Sequence, residues 1–235
     1  MSPPATEKVL REIAQQAVAI FADHGHDCCL FGSLGCALYG TTRSPSDVDL
    51  IVLTDEDAEK LKEILVDEDS SFYLKSSDND LVRWKILWYT LPSARRDCKV
   101  DILTPGGKLN LPRVPNRHIK HKRQLPVMQI LPLLLTKLRG WTDHRKSRRS
   151  DKWRKLHNDV KDIDDLLPIA CRTGTHINSR RLRWLRKGFV DFVAASQRRI
   201  YKYVEEYPDS AGYWERLGFD AYSDECKCPI CSRCH

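Results

Sequence analysis

Leu30-Phe31-Gly32-Ser33 and, at the far end of the same stretch, Asp47-Val48-Asp49-Leu50 set the terms for the whole chain. Asp47 and Asp49 stand two apart at the head of an apolar run, Leu50-Ile51-Val52-Leu53. Such a run reads as a strand, and strand side chains two apart share a face. Two carboxylates side by side repel each other unless a cation lies between them. A hard cation such as Mg²⁺ accepts oxygen ligands in that arrangement and keeps open positions for phosphate oxygens. Val100-Asp101-Ile102 offers a third carboxylate inside another apolar run, and the three acids can converge if the two strands pair. Gly32-Ser33 follows a short apolar run, residues 28–31, and precedes a predicted helix over 34–39. Glycine lets the backbone approach a ligand closely, and the free N–H groups at a helix start favour a phosphate. The Ser33 hydroxyl can add a contact to it. Each piece also has a plainer reading. Asp-x-Asp is common turn chemistry, Gly-Ser before a helix is often only a cap, and Asp101 beside Lys99 can be a surface acid on a half-buried strand. Read together, they point to a site for two divalent cations and a phosphate chain.

The same residues carry a resemblance. Phe31-Gly32-Ser33, then thirteen residues, then Asp47-Val48-Asp49-Leu50, then the distant Val100-Asp101-Ile102, resembles the DNA polymerase β-type nucleotidyltransferase superfamily. It covers roughly the first 105 residues of the chain. The resemblance implies transfer of a nucleoside monophosphate from a nucleoside triphosphate, ATP among them, to an acceptor hydroxyl, with release of pyrophosphate. Two Mg²⁺ ions are implied, both held by Asp47 and Asp49, with Asp101 holding the one beside the acceptor. Gly32 and Ser33 would then grip the β- and γ-phosphates. In such sites charge stabilisation and positioning do most of the chemistry.

The remainder of the chain suits a globular host for that site. Of its 235 residues 41% are hydrophobic and 30% charged, ordinary values for a globular chain long enough to bury a sizeable core. No apolar run approaches the roughly 20 residues of a membrane span. The N-terminal Met1-Ser2-Pro3-Pro4 has neither the basic region nor the apolar core of a secretory signal. The expectation is an intracellular, cytoplasmic protein with no membrane partner and with an oligomeric state the sequence leaves open. Of nine cysteines, Cys28, Cys29, Cys36, Cys98 and Cys171 lie scattered, mostly in apolar surroundings, which fits reduced thiols rather than a disulfide framework. The net charge of +7 is unevenly spread: residues 108–203 hold 25 Lys and Arg against 7 Asp and Glu. A basic surface can gather polyanions or bind nucleic acid. It can equally be a set of solvated helix faces.

Along the chain, residues 6–24 read as an amphipathic helix, capped by Thr6 and ended by Gly25, with Val9, Leu10, Ile13, Ala17, Ile20 and Phe21 on one stripe. Strands are expected at 28–31, 47–53, 72–75, 81–91 and 98–103, and a helix at 55–68. Arg43, in the polar loop 41–46, can reach a phosphate or simply face solvent. Residues 105–127, with Pro105, Pro112, Pro115 and Pro126, read as loop. Helical spacing then returns at 129–141, 152–167, 178–185 and 189–203. The expected fold is α+β: a mixed β-sheet domain over 1–105, a linker or lid over 106–127, a helical bundle over 128–222 and a Cys-rich tail over 223–235.

Leu135-Thr136-Lys137-Leu138-Arg139 with Lys161-Asp162-Ile163 is similar to the second conserved region of antibiotic-modifying and abortive-infection-type nucleotidyltransferases. That similarity assigns Lys137 and Lys161 to the triphosphate and Asp162 to orienting the site or a lysine. The basic insert at 143–155 departs from the compact form of those proteins. On physical grounds Lys137, in the middle of an apolar helix, needs an anion, whether Asp162 or a phosphate. Lys161-Asp162 can otherwise be a solvated face with weak helix ion pairs. In the tail, Cys226, Cys228, Cys231 and Cys234 have the density of a Zn²⁺ site, but tighter spacing than a zinc ribbon, and the plainer reading is an unstructured, oxidation-prone tail. The acceptor stays open between a protein, an RNA and a small molecule. Two other classes compete with the enzyme: a catalytically silent nucleotide-binding regulator, and a basic nucleic-acid-binding protein.

Overall fold

A mixed sheet carries the first part of the chain, its strands side by side in the order Phe72–Ser76, Lys85–Tyr89, Cys98–Leu103, Val48–Val52, Cys28–Leu30, Leu125–Val127, Lys120–Lys122. The computed structural model describes residues 5–76, 84–91, 97–107, 109–146 and 150–224. The strands are β1 (Cys28–Leu30), β2 (Val48–Val52), β3 (Phe72–Ser76), β4 (Lys85–Tyr89), β5 (Cys98–Leu103), β6 (Lys120–Lys122) and β7 (Leu125–Val127). Strand β2 lies between β1, which it meets antiparallel, and β5, which it meets parallel. Their alternation sends Val48, Leu50 and Val52 of β2, with Cys98, Val100 and Ile102 of β5, into one core.

Helices close that core. Helix α1 (Glu7–Asp23) contributes Leu10, Ile13, Ala14, Ala17 and Phe21, and α3 (Ala58–Glu68) contributes Leu61 and Leu65. Full burial of each Leu, Ile or Phe side chain among these is worth about 1.5–3 kcal/mol. Thr6 accepts the Val9 N–H and starts α1. The helix ends at His24, and Gly25 follows at φ +74°, where a side chain would be strained. A short helix, α2 (Gly32–Tyr39), connects β1 to the loop before β2 and is buried over nearly its whole length.

The proline-rich stretch differs from its sequence reading. Instead of loop throughout, it holds the β6–β7 hairpin, with Val127 of β7 paired to Leu30 of β1. Arg123 and Gln124 take φ of +48° and +66° at the hairpin's tip. A two-residue turn of this kind favours Asn-Gly, so the sequence held no turn signal. Pro126 inside β7 counted against a strand; it stands opposite His121 in the ladder.

Contacts divide the chain into two compact units. The first comprises 1–40, 44–109 and 119–128 and holds the sheet; the second comprises 41–43, 110–118 and 129–235 and is helical. In the second, α4 (Ile130–Lys146) packs along α5 (Ser150–Arg172), followed by α6 (Arg183–Gly188), α7 (Val190–Glu206) and α8 (Ala211–Arg216). Leu134, Leu138, Trp141, Ile163, Leu166, Ile200, Tyr203 and Trp214 are fully buried there. The Trp141 and Tyr203 rings meet edge to face, with centroids 5.0 Å apart. Helix α8 lies beyond the expected helices. The tail cysteines Cys226, Cys228, Cys231 and Cys234, residues 77–80 and residues 81–83 of the fourth expected strand lie outside the described residues. No helix among the described residues is long and apolar enough to cross a membrane.

Candidate functional site

The polar face of the central strands is where the acids gather. Core-facing Val48 and Leu50 leave Asp49 on the opposite face of β2, and core-facing Val100 and Ile102 leave Asp101 on the same side of β5. In the parallel ladder Asp49 stands directly opposite Asp101. Asp47, immediately before β2, completes a half-buried trio in which one carboxylate oxygen from each residue lies within 4.8 Å of the others. Oxygens on opposite sides of a Mg²⁺ ion stand roughly 4 Å apart, and such ions prefer carboxylate oxygens. The donor set could therefore hold a hard divalent cation.

Gly32 and Ser33 meet the acids directly. The Phe31 N–H donates to the Asp49 carbonyl at 3.1 Å, extending the β1–β2 ladder by one bond. At the next residue the backbone turns with φ +58° into α2. A Cβ on Gly32 would fall 1.8 Å from Asp49 Oδ2. Glycine is thus demanded twice, by the left-handed conformation and by the adjacent carboxylate. Ser33 is 5% exposed, and its Oγ donates to Asp47 Oδ1 at 2.8 Å. Ser46 Oγ donates to the same oxygen at 3.3 Å. The two halves of the motif, thirteen residues apart, are in hydrogen-bonding contact.

Sequence reasoning gave Lys99 no role beyond flanking Asp101. It lies two residues before Asp101 on the same face, and its Nζ donates to Asp101 Oδ2 at 2.5 Å. Partial burial disfavours its charge, but Asp101, with Asp49 and Asp47 behind it, outweighs that and pushes its pKa above the ordinary value. The signal was available: a cation at i−2 on a strand shares the face of the acid. On the core side, burial and then the nearby Asp47 and Asp49 push the Cys98 thiol up to about 12.

Lys137 and Lys161 lie in the helical unit. Lys137 Nζ is 2.8 Å from Asp162 Oδ2, so the anion its burial required is that carboxylate. Asp162 is 1% exposed and also receives Arg43 Nε at 2.9 Å and Nη2 at 2.7 Å. Next to Arg43, the Thr42 N–H and hydroxyl both donate to Asp165 Oδ2, at 2.7 and 2.8 Å. Residues 42 and 43, in the loop that leads to Asp47, are thereby fastened to α5. Lys161 is exposed on the same helix.

No protein-family model matches the sequence, and no curated protein is similar enough to count as a relative. Solved structures do match. An antigenic nucleotidyltransferase-like protein from Paracoccidioides brasiliensis superposes with a TM-score of 0.63 at 16% identity, over 93% of this chain and 97% of its own. JHP933 from Helicobacter pylori superposes with a TM-score of 0.51 at 13% identity, over 90% of this chain and 79% of its own. At such identities the likeness concerns the path of the backbone. The chain has the nucleotidyltransferase fold, the fold implied by the resemblance of residues 31–50 and 100–102 to the polymerase β-type superfamily.

Proposed function

We propose that this chain moves a nucleoside monophosphate from a nucleoside triphosphate to an acceptor hydroxyl, with pyrophosphate as the other product. The observation behind the reading is the meeting of Asp47, Asp49 and Asp101 beside the Gly32 turn. Asp47 and Asp49 would hold two Mg²⁺ ions, and Asp101 the one on the acceptor side. Bound there, the ions supply positive charge to the triphosphate and lower the pKa of the acceptor hydroxyl. The chain's own contribution is positioning. Gly32 leaves room beside Asp49, Ser33 orients Asp47, and Asp101 can take the acceptor's proton. Lys137 and Lys161 keep, within this proposal, the triphosphate contacts that the resemblance assigns them.

The test is transfer of α-labelled triphosphate, with Mg²⁺, into RNA, total protein and small-molecule extracts. Asp49→Asn should abolish label transfer, a loss of at least about 100-fold by comparison with other groups that stabilise transition-state charge, while leaving the circular dichroism spectrum intact. Full turnover in that variant would sink the assignment. A second reading, nucleotide binding without turnover, has one observation behind it: Lys99 already holds Asp101. It predicts triphosphate binding but no label transfer in any extract from the wild type, and transfer gained in Lys99→Met, where Asp101 is released.

A further inference from the structure

The 18 residues from Thr173 to Val190 contain no Asp or Glu and five cations: Arg180, Arg181, Arg183, Arg186 and Lys187. The structure gives the cationic part of this run a helical form. A 3-10 turn over Arg180–Leu182 leads directly into α6. Leu182 and Leu185 are buried at 4% and 0% exposure and pin the segment inward, where α6 packs on α7. Arg180, Arg181, Arg183 and Lys187 are exposed. Arg180, Arg183 and Lys187 stand at i, i+3 and i+7, which aligns them along one side of a helical segment. Among the described residues, none of the five takes part in an ion pair, whereas Arg11, Arg43, Arg123, Arg139 and Arg145 all do. Arg186, half-buried, gives Nη2 to the Asn178 carbonyl, and its Nε has no hydrogen-bond partner among the described residues.

An aromatic surface lies inside this cationic run. Trp184 stacks on His118, with ring centroids 5.9 Å apart and planes 24° from parallel, and is partly exposed. Arg117, beside His118, is exposed and adds another cation. Unneutralised guanidinium groups bind phosphates bidentately. Guanidinium groups and aromatic rings side by side are how single-stranded nucleic acid is held, through phosphate contacts and base stacking.

We infer that the surface formed by Arg180, Arg181, Arg183 and Lys187 around Trp184 binds RNA, and that RNA is the acceptor of the transfer. The second clause rests on the proposed function. The first is tested on binding alone, while the choice of RNA among polyanions draws on that acceptor chemistry. RNA is favoured over other polyanions because it joins a repeated phosphate to free hydroxyl groups, the acceptor chemistry proposed for the site.

The test is fluorescence anisotropy of a labelled RNA hairpin with a single-stranded 3′ end, titrated with the full chain across a salt series, without triphosphate or divalent cation. The triple variant Arg180→Ala/Arg181→Ala/Arg183→Ala should bind at least tenfold more weakly. The slope of log affinity against log salt should become shallower by about 2, because each lost phosphate contact removes roughly 0.7–0.9. The matching Arg→Lys triple variant should keep most of the affinity and the slope, and Trp184→Leu should weaken binding with the slope unchanged. Unchanged circular dichroism in each variant confirms that the comparison is between folded proteins. Affinity and slope unaltered in the alanine variant would overturn the inference. So would equal binding of heparin, poly-glutamate or single-stranded DNA at matched charge. If RNA binds through this surface but no label is transferred to any acceptor, the surface stands and the proposed function falls. If label is transferred to a protein or small molecule by a chain that ignores RNA, the reverse holds.

Discussion

A methyl group on Gly32 would overlap the Asp49 carboxylate at 1.8 Å, in a backbone conformation that costs an L-residue about 1–2 kcal/mol before any clash. Gly32→Ala should therefore lower the melting temperature by at least about 2–4 °C for each kcal/mol lost. It should also weaken Mn²⁺ affinity, read by electron paramagnetic resonance, because Asp49 must move to make room. A variant that binds Mn²⁺ as the wild type does would detach the glycine from the acids. The cysteines behave in the opposite way, as closed side chains. Burial, then the charge of Asp27, pushes the Cys28 thiol up to about 12, and Cys98 is held up to about 12 by burial and by Asp47 and Asp49. At pH 8 only about one such thiol in 10⁴ is ionised, against roughly a quarter for a free cysteine near 8.5. Cys28 and Cys98 should resist iodoacetamide in the native chain and react in denaturant. The folded value lies above the unfolded one, so this stabilisation is complete below about pH 8.5 and is lost as pH rises towards 12. Denaturant midpoints should therefore fall over that alkaline window.

At the scale of elements, the β6–β7 hairpin and the α5 ion cluster carry measurable strain and support. Gln124 holds φ +66° without being glycine. Gln124→Gly should raise stability by up to about 1 kcal/mol, measured as a shift in urea midpoint, with Arg123 kept because it pairs with Glu7 at 2.7 Å. Asp162 is the reverse case. It is buried among Arg43 and Lys137, whose side chains are each only 13% exposed. Asp162→Ala removes the carboxylate that both cations share, leaves Asp159 at 3.9 Å from Lys137 Nζ, and should cost up to about 3–5 kcal/mol in equilibrium unfolding. The hairpin also shows why sequence and structure parted there. Its turn depends on two positive-φ residues with ordinary side chains, and its second strand contains a proline, so no local rule marks it. What fixes it is long-range: Val127 against Leu30, and Tyr39 donating to the Met128 carbonyl at 2.8 Å.

For the molecule as a whole, strong local periodicity was legible, as was the need of Lys137 for an anion such as Asp162, but other pairings of distant charges were not. The α1 stripe, the β2 and β5 alternation and the helical spacing of α4 and α7 follow from apolar period alone, and all are present in the structure. The convergence of Asp47, Asp49 and Asp101 was an inference from same-face spacing, and the parallel β2–β5 register places the three together. Arg43 meeting Asp162 across 119 residues had no such signature. Nor did the use of Ser33 on Asp47, since a serine at a helix start reads as a cap whichever partner it takes.

The β2–β5 register has a consequence for how the chain reaches its fold. If β5 slid by one position against β2, Lys99 and Asp101 would change places with Val100 and Ile102 and enter the greasy layer beneath the sheet. Two ionic groups without solvent would reject that alignment at once. The residues proposed for chemistry would thus also proofread strand alignment. Neutralising all of them together should slow productive folding by admitting slipped pairings.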